Sequence, residues 1–302
     1  MIAEKAVSYQ AVRPRHRPWR LVIPRIVTYL LVALGGAIFM FPFYWAVMSS
    51  GKTPTEIASF PPTLWPQNMQ FVENYAEVFR VAPFGRWIWN SVVITALSIV
   101  GTILSCSVAA YAFARFRFRG RDLWFLLMLS TMMIPSEVLL IPTYLIFKQL
   151  GWVNSIKPLV VPSWFGGSAF TIFLIRQFYL GIPRDMDEAA YIDGASSLRI
   201  FLTIILPLAK PAIATGATLQ FIGSWNSFLG PLIYLNKVEK FTAVIGLRYF
   251  ALGTSSAQAA SGPPRDNLVM ACSVIVALPC LILFFAAQKY FVQGIATTGI
   301  KG

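Results

Sequence analysis

The chain has 302 residues, of which 57% are hydrophobic and only 12% are charged, and its mean hydropathy is +0.65. A soluble domain carries about 25% charged residues, and a globule of this size lacks the polar surface to cover so apolar a chain. Several apolar segments exceed the roughly 20 residues that span a bilayer. The composition therefore excludes a soluble enzyme or a disulfide scaffold and predicts an all-α polytopic membrane protein.

Side chains that carry chemistry are sparse and scattered. Cys106, Cys272 and Cys280 lie in apolar stretches without a C-x-x-C pair, which is typical of small buried hydrophobic side chains. The one histidine, His16, lies in a basic N-terminal run. The sequence clusters no ligands for a metal and pairs no nucleophile with a base. We expect no catalytic residue, no metal site and no bound cofactor in this chain.

Charge-free runs predict six membrane-spanning helices, preceded by a basic segment over residues 1–25. The predicted spans are 26–48, 87–114, 123–147, 157–180, 204–234 and 267–291, so that 26–302 forms one transmembrane domain. A cleaved signal peptide is the alternative for the first run. That run is longer than the apolar region of a signal, and no A-x-A site follows it, so we interpret it as an uncleaved span.

The distribution of Lys and Arg predicts the orientation. With the N-terminus inside, the inner segments hold sixteen of these residues and the longer outer loops hold nine. Positive charge accumulates on the cytoplasmic side, which predicts an N-in, C-in topology. Much of the net charge of +13 is thereby explained, and no nucleic-acid partner is expected.

Two outer loops, 49–87 and 235–266, are long and rich in Pro, Gly, Ser and Thr. A flexible linker is one interpretation of the first. Its aromatic residues favour instead a loop packed at the membrane interface, where amphipathic rings prefer to lie. These are Phe60, Trp65, Phe71, Tyr75, Trp87 and Trp89.

The predicted spans contain few groups for ion coupling. Among twelve acidic residues only Glu137 falls within a span, where it is either a proton site or a group at an aqueous cavity or boundary. Prolines in or beside the third and fourth spans favour helices that line a pathway, although proline is also commoner in membrane helices generally. They are Pro135, Pro142, Pro158 and Pro162.

The fifth span carries the polar residues Gln220, Ser224, Asn226 and Ser227. Gln220 and Ser224 lie four apart, and Ser224 and Ser227 lie three apart, so we expect them to share a helical face. Hydrogen bonding between helices and contact with a polar solute are both consistent with this face.

The inner segment 181–203 predicts a helix–turn–helix beneath the membrane. Asp185, Asp187 and Glu188 begin a short helix at the end where negative charge suits the helix dipole. Asp193-Gly194 supplies a stop and a turn, because glycine takes the left-handed cap without strain. A second helix then leads to the fifth span, which is predicted to begin near Leu206-Pro207. Alone, these features fit either an ordinary inner loop or a docking surface.

The spacing within this segment is more specific. Glu188-Ala189-Ala190 is followed by three residues and Gly194, and then by nine residues and Ile204-x-Leu206-Pro207. This pattern resembles the EAA loop of ABC importer permeases at every defined position. The further motifs ENY at 73–75, YAFARFRFRG at 111–120, MIP at 133–135 and the tail GIATTGIKG are similar to the six-span permease of the carbohydrate branch, whose type member is the maltose permease pair.

The resemblance implies a mechanism and a set of partners. Two permeases form a pseudo-twofold pair, two ATPase subunits that bind ATP and Mg dock beneath them, and an extracytoplasmic binding protein delivers the sugar. The chain is expected in the bacterial inner membrane. The segment between the fourth and fifth spans becomes a cytoplasmic coupling helix. Its docking residues are expected to be Asp187, Glu188, Ala189, Ala190, Asp193, Gly194, Ala195 and the terminal Gly302.

Three alternatives remain at this point. The same machine would also serve a polyol, a glycerol phosphate or an anionic oligosaccharide, and the sequence leaves open whether this chain or its sister permease contacts the solute. A secondary carrier coupled through Glu137 is a second class of function. An intramembrane enzyme is the third, although the spans lack the paired groups that catalysis requires.

Overall fold

The computed structural model describes the backbone of residues 22–255 and 265–298, and the side chains of 26–253 and 265–288. All regular structure in these ranges is helical. The helices, in chain order, are α1 Val22–Ser50, α2 Pro54–Ile57, α3 Phe71–Val81, α4 Phe84–Arg115, α5 Arg121–Ser130, α6 Ser136–Gln149, α7 Lys157–Val160, α8 Ala169–Leu180, α9 Asp185–Ile192, α10 Ser197–Ile200, α11 Leu206–Leu208, α12 Lys210–Trp225, α13 Leu229–Tyr234, α14 Ala243–Ser255 and α15 Asp266–Thr298. Three short 3₁₀ turns and one π turn, Phe201–Ile205, complete the helical structure of the described ranges.

Within the described residues, four segments are long and apolar enough to cross a membrane without a sharp bend: Ile26–Ser50, Phe84–Arg115, Lys157–Leu180 and Asp266–Gln288. Of these, Lys157–Leu180 consists of α7, a 3₁₀ turn and α8. Two further pairs of helices meet that criterion only together, because each pair is sharply bent. The chain is thus an all-helical polytopic membrane protein with four to six candidate spans.

The predicted third span, 123–147, is not one continuous helix. Its two halves, Arg121–Met133 and Ser136–Gln149, meet at an angle of 99°. Pro135 has no N–H to continue the helical ladder, and its ring disfavours the helical conformation of the residue before it. Ile134 accordingly adopts an extended backbone, with φ −83° and ψ 117°. Counting apolar residues predicted the length of this segment and missed its break.

The predicted fifth span, 204–234, is also divided. Ser197–Leu208 and Lys210–Trp225 meet at 77°, with Ala209 between them. Pro211 lies in the first turn of α12, where its missing N–H has no intrahelical partner to lose. At the other end, α12 stops at Trp225 and the short α13 begins only at Leu229. The predicted span therefore contains a bend after Leu206-Pro207, and its longest helix, α12, ends well before residue 234.

The long helix α4 organises the packing, because both α8 and α12 lie against it while α1 packs on α15. Two apolar cores form at opposite ends of α4. The Tyr111 cluster comprises Cys106, Ala110, Tyr111, Ala114, Ile172, Ile175, Tyr179, Ile182, Ala190, Ile200, Phe201, Ile205 and Ala209. The Trp87 cluster comprises Val78, Ala82, Phe84, Trp87, Ala243, Phe250, Leu268, Ala271, Cys272 and Val276.

The outer loop 49–87, which is rich in aromatic residues, is largely helical and partly buried in the protein. It forms α2, α3 and the first turn of α4, and Trp87 is buried in the protein at 1% exposure. Phe60, Trp65 and Trp89 do remain exposed. The expectation of an interfacial ring was therefore wrong for Trp87, whose indole N–H donates to the carbonyl of Val238 at 2.7 Å.

Candidate functional site

Residues 181–203, which we term the EAA segment, fold into a short helix, a tight turn and a second helix. Asp185, Asp187 and Glu188 occupy the first turn of α9, as predicted. Helix α9 ends at Ile192, and Gly194 follows with φ +77°. Its N–H donates to the carbonyl of Tyr191 at 3.0 Å, so the predicted left-handed glycine turn is confirmed.

The second half of the EAA segment begins at a capped helix. The Ser196 hydroxyl accepts a hydrogen bond from the N–H of Arg199 at 3.3 Å, which ends the turn and starts α10. The π turn Phe201–Ile205 then widens the helix before α11. This run brings Ile200, Phe201 and Ile205 into the Tyr111 cluster.

One buried ion pair fastens α9 to the end of α4. The Nε of Arg115 lies 3.1 Å from Oδ2 of Asp187, and the two side chains are only 5% and 12% exposed. Arg115 also donates through Nη2 to the carbonyl of Ile182 at 3.1 Å. A planar guanidinium suits both contacts, because it offers several donors in a fixed geometry.

Tyr111, one helical turn earlier on α4, fastens α10. Its hydroxyl donates to the carbonyl of Ser197 at 3.1 Å, and its ring centroid lies 4.9 Å from that of Phe201. Tyr179 of α8 meets the Tyr111 ring edge-on at 6.4 Å. Both halves of the EAA segment are thus tied directly to α4.

The predicted docking residues divide into two groups. Asp187 and Ala190 are buried against α4 and hold the segment in place, so they present little surface to another subunit. Glu188, Ala189, Asp193 and Gly194 are exposed, and Ala195 is partly buried. Gly302 lies outside the described residues.

Sequence reasoning missed the apolar part of the exposed surface. Ile192 is 87% exposed and Leu198 is 65% exposed, on either side of the Gly194 turn. Large apolar side chains that stand free beside a tight turn are typical of an interaction surface. A helical wheel of α9 and α10 would have shown them, since neither residue belongs to the buried face.

Sequence reasoning also counted Arg115 only as a topology charge and gave Tyr111 no role. Both belong to the YAFAR stretch of α4, residues 111–115. Their contacts with α9 and α10 bridge more than sixty positions of sequence. The motif was visible in the sequence, but its partners depend on tertiary packing.

The predicted solute residues are brought only partly together. Gln220 and Ser224 lie on α12 and are half-buried, and within the described side chains neither forms a hydrogen bond with the protein. Asn226 is exposed just after the helix and donates to the carbonyl of Ile222 at 3.0 Å. Ser227 lies beyond the helix end, so the expectation that it shares a helical face with Ser224 was wrong.

Packing orients α12. Trp225 is buried, its indole N–H donates to the carbonyl of Val276 on α15 at 3.0 Å, and Phe221 stacks on its ring at 5.6 Å. Gln220 and Ser224 lie about 40° apart on the helix, away from Trp225. They therefore present free polar groups on a side of α12 that Trp225 does not bury.

Glu137 lies in the first turn of α6, directly after the 99° bend, and is exposed. Its Oε1 accepts a hydrogen bond from the hydroxyl of Ser136 at 3.0 Å. Over the ranges that the structure describes, no three His, Cys, Asp or Glu side chains approach one another as metal ligands would.

Comparison with known proteins identifies the class. Residues 101–297 match the family described as "Binding-protein-dependent transport system inner membrane component", and the chain belongs to that family. It is a permease subunit of an ABC importer and is not an enzyme.

Two curated relatives cover nearly the whole chain. The arabinooligosaccharide transport permease AraQ of Bacillus subtilis is 34% identical over 95% of this chain and 99% of its own. The sn-glycerol-3-phosphate transport permease UgpE of Brucella abortus is 34% identical over 91% of this chain and 97% of its own.

A solved structure has the same fold. A chain of a bacterial ABC transporter that imports the acidic polysaccharide alginate superposes with a TM-score of 0.81 over 92% of this chain and 100% of its own, at 24% identity. A chain from the alginate transporter in complex with an alginate pentasaccharide-bound periplasmic protein gives a TM-score of 0.64 at 15% identity.

Proposed function

We propose that this chain forms half of the membrane pathway of a binding-protein-dependent importer for a sugar or oligosaccharide. In this proposal each bent segment contributes one span, residues 121–149 the third and residues 204–225 the fifth, giving six spans with both termini in the cytoplasm. The excess of Lys and Arg on the segments at the Arg115 end of α4 supports this orientation. The EAA segment then lies in the cytoplasm, as a coupling helix between the fourth and fifth spans.

One observation carries the proposal for energy coupling. The EAA segment presents Glu188, Ala189, Asp193 and Gly194 outward, while Asp187 and Ala190 fasten its other face to α4. A partner that pushes on the exposed face would therefore move α4 through short, buried contacts, and α12 packs directly against α4. The exposed Ile192 and Leu198 supply the apolar centre that a stable interface needs.

The partner in this proposal is an ATPase subunit that holds ATP and Mg, with a second copy docked on a sister permease. Closure of the two ATPases on ATP would rock the paired permeases and open the cavity outward. An extracytoplasmic binding protein would then release its sugar into that cavity. Glu188 pairs with a basic residue of the ATPase, and Gly302, outside the described residues, contributes to the same interface.

The solute path includes Gln220 and Ser224, with Asn226 and Ser227 at the end of α12. Lys210, at the first position of α12, is the one charged residue of this helix, and residues 211–228 contain none. The part of α12 that bears Gln220 and Ser224 therefore offers hydrogen-bonding groups to a sugar hydroxyl without a counter-ion for an anion. The similarity to AraQ supports an oligosaccharide. A glycerol phosphate is the second candidate, because UgpE is equally similar at 34%.

The test of docking is Gly194→Arg, measured as ATP hydrolysis stimulated by loaded binding protein in the reconstituted complex. We expect coupled hydrolysis to be abolished and membrane insertion to be normal, because the arginine would stand in the interface. Gly151→Arg is the matched control. Gly151 has φ +68° and, like Gly194, has no heavy atom within 4 Å of an added Cβ. Normal coupling in Gly194→Arg would refute the docking role.

The solute class is tested by uptake of labelled arabinooligosaccharide and glycerol 3-phosphate in cells that hold the complete importer. Preferential uptake of the oligosaccharide supports the first candidate. Preferential uptake of glycerol 3-phosphate would establish the second and leave the docking proposal intact.

A further inference from the structure

A short turn between α4 and α5, residues 116–121, carries charge that neither the EAA segment nor the solute path uses. We term it the Phe-Arg turn; its sequence is Phe-Arg-Phe-Arg-Gly-Arg. Gly120, at φ +79°, closes it, and the N–H of Arg121 donates to the carbonyl of Phe118 at 3.3 Å. The turn therefore holds its three arginines within a compact space.

Two of these arginines are free of protein partners. Arg117 and Arg119 are exposed, and no carboxylate of the described residues lies within ion-pair distance of either. The nearby Asp122 is already paired with Arg121, whose Nε lies 2.9 Å from its Oδ1. The turn thus has an excess of positive charge with unused guanidinium donors.

A cleft of about 380 Å³ opens at this turn. It is lined by Arg117, Phe118, Gly120, Arg121, Asp122 and Leu123. Arg176 lies behind the wall of α5, with its guanidinium 4.0 Å above the Phe125 ring, and interacts electrostatically with Arg121 and Asp122. The cleft is thus lined by two cations and one carboxylate, with Arg176 close behind it and Arg119 in the same turn. This excess of positive charge favours an anionic ligand.

Apolar side chains flank the charge on both sides. Phe116 and Phe118 are 41% and 43% exposed, and Leu123 and Trp124 are each 60% exposed. These apolar side chains would add nothing to the binding of a soluble anion. They would stabilise a bound lipid, because its phosphate is joined to acyl chains that would lie along them.

We propose that the Phe-Arg turn binds the phosphate headgroup of an anionic phospholipid, held by Arg117, Arg119 and Arg121. Guanidinium groups bind phosphate oxygens through paired, charge-assisted hydrogen bonds. Clusters of basic residues at the cytoplasmic end of a span attract anionic lipid. The assignment to the cytoplasmic leaflet rests on the proposed function. In these two proposals the EAA segment contacts a protein partner, and the Phe-Arg turn contacts membrane lipid.

The test uses the full chain purified with its partner subunits and placed in nanodiscs of phosphatidylcholine with graded phosphatidylglycerol. Retention of phosphatidylglycerol is measured by native mass spectrometry. We expect Arg117→Gln/Arg119→Gln to require about thirtyfold more phosphatidylglycerol for equal retention. The control, Arg80→Gln/Arg248→Gln, removes the same charge from α3 and α14 and is expected to behave as the natural chain does.

Three outcomes would overturn the proposal. If both double variants reduced phosphatidylglycerol retention equally, retention would depend on net charge alone. Loss of the retained phosphatidylglycerol on addition of inorganic phosphate would show that the turn binds a soluble anion. Unchanged lipid retention with loss of the ATPase subunit from Arg117→Gln/Arg119→Gln would make this turn a protein contact. Retention is read without ATP turnover, so a failure of the docking proposal at Gly194 would not alter it.

Discussion

The Tyr111 cluster and the Trp87 cluster lie at opposite ends of α4 and hold their neighbours in different ways. At the Trp87 end, side chains of α4 hold the backbone of one loop. Trp87 donates to Val238, Asn90 donates to Glu239 and Phe241, and the Ser91 hydroxyl accepts from the N–H of Ala243. At the Tyr111 end, the Arg115–Asp187 ion pair and three hydrogen bonds tie the EAA segment to the same helix. The hydrogen bonds run from Tyr111 to Ser197, from Arg115 to Ile182 and from Arg184 to Ala114.

The two ends of α4 also differ in how much space they leave for an added side chain. At the Trp87 cluster a Cβ added to Gly246 would lie 2.0 Å from the Trp87 ring, so the helices approach as closely as atoms allow. At the other end Gly194 has open space around it. The Trp87 end is therefore closely packed, whereas in the proposed function the Tyr111 end passes movement from the exposed surface of the EAA segment into the spans.

The largest expected effect comes from breaking the buried ion pair. Arg115→Leu leaves Asp187 as an uncompensated buried charge, which costs about 3–5 kcal/mol. We expect a marked fall in thermal stability in detergent and loss of binding-protein-stimulated ATP hydrolysis.

Replacing both partners of the pair separates charge from packing. The double variant Arg115→Leu/Asp187→Leu has no unpaired buried charge, so stability should recover largely while coupling stays low. A double variant no more stable than Arg115→Leu would show that Arg115 acts through packing alone.

A smaller effect is expected from Gly246→Ala at the rigid end. The added methyl overpacks the Trp87 ring, and such changes cost about 1–3 kcal/mol. Thermal denaturation of the purified chain measures the loss. Gly253→Ala is the control, because no heavy atom lies within 4 Å of a Cβ added there. Equal melting temperatures for the two variants would contradict the close packing of Gly246.

The smallest change in stability is expected from Tyr111→Phe, which keeps the ring contact with Phe201 and removes the bond to Ser197. One hydrogen bond contributes about 1 kcal/mol. The effect on coupling should be larger than the effect on stability, because that bond fastens α10. Tyr179→Phe provides the comparison, because the Tyr179 hydroxyl forms no hydrogen bond with the EAA segment within the described residues. An equal fall in coupled hydrolysis in both would refute a specific role for Tyr111.

Much of this architecture follows from local sequence. Apolar runs predicted where the helices lie, and Asp193-Gly194 predicted the left-handed turn, because both depend on neighbouring residues. The bends after Met133 and Leu208 were missed, although Pro135, Pro207 and Pro211 were visible. The length of an apolar run predicts the length of a span, but it takes no account of the helical hydrogen bonds that a proline removes.

The sequence alone could not show which of the predicted docking residues are buried. Asp187 and Glu188 are adjacent acidic residues, and only the packing of α9 against Arg115 shows that one faces inward and the other outward. The same holds for Gln220 and Ser227, which do not share a helical face because α12 stops at Trp225.

The central claim is that the exposed face of the EAA segment contacts the ATPase. Ala189→Cys in the full complex, treated with a thiol cross-linker, tests this directly, with Glu77→Cys on α3 as the control. We predict a cross-link from position 189 to an ATPase subunit that changes in yield on addition of ATP, and none from position 77. A cross-link to the ATPase from position 77 and none from position 189 would contradict both the docking surface and the orientation.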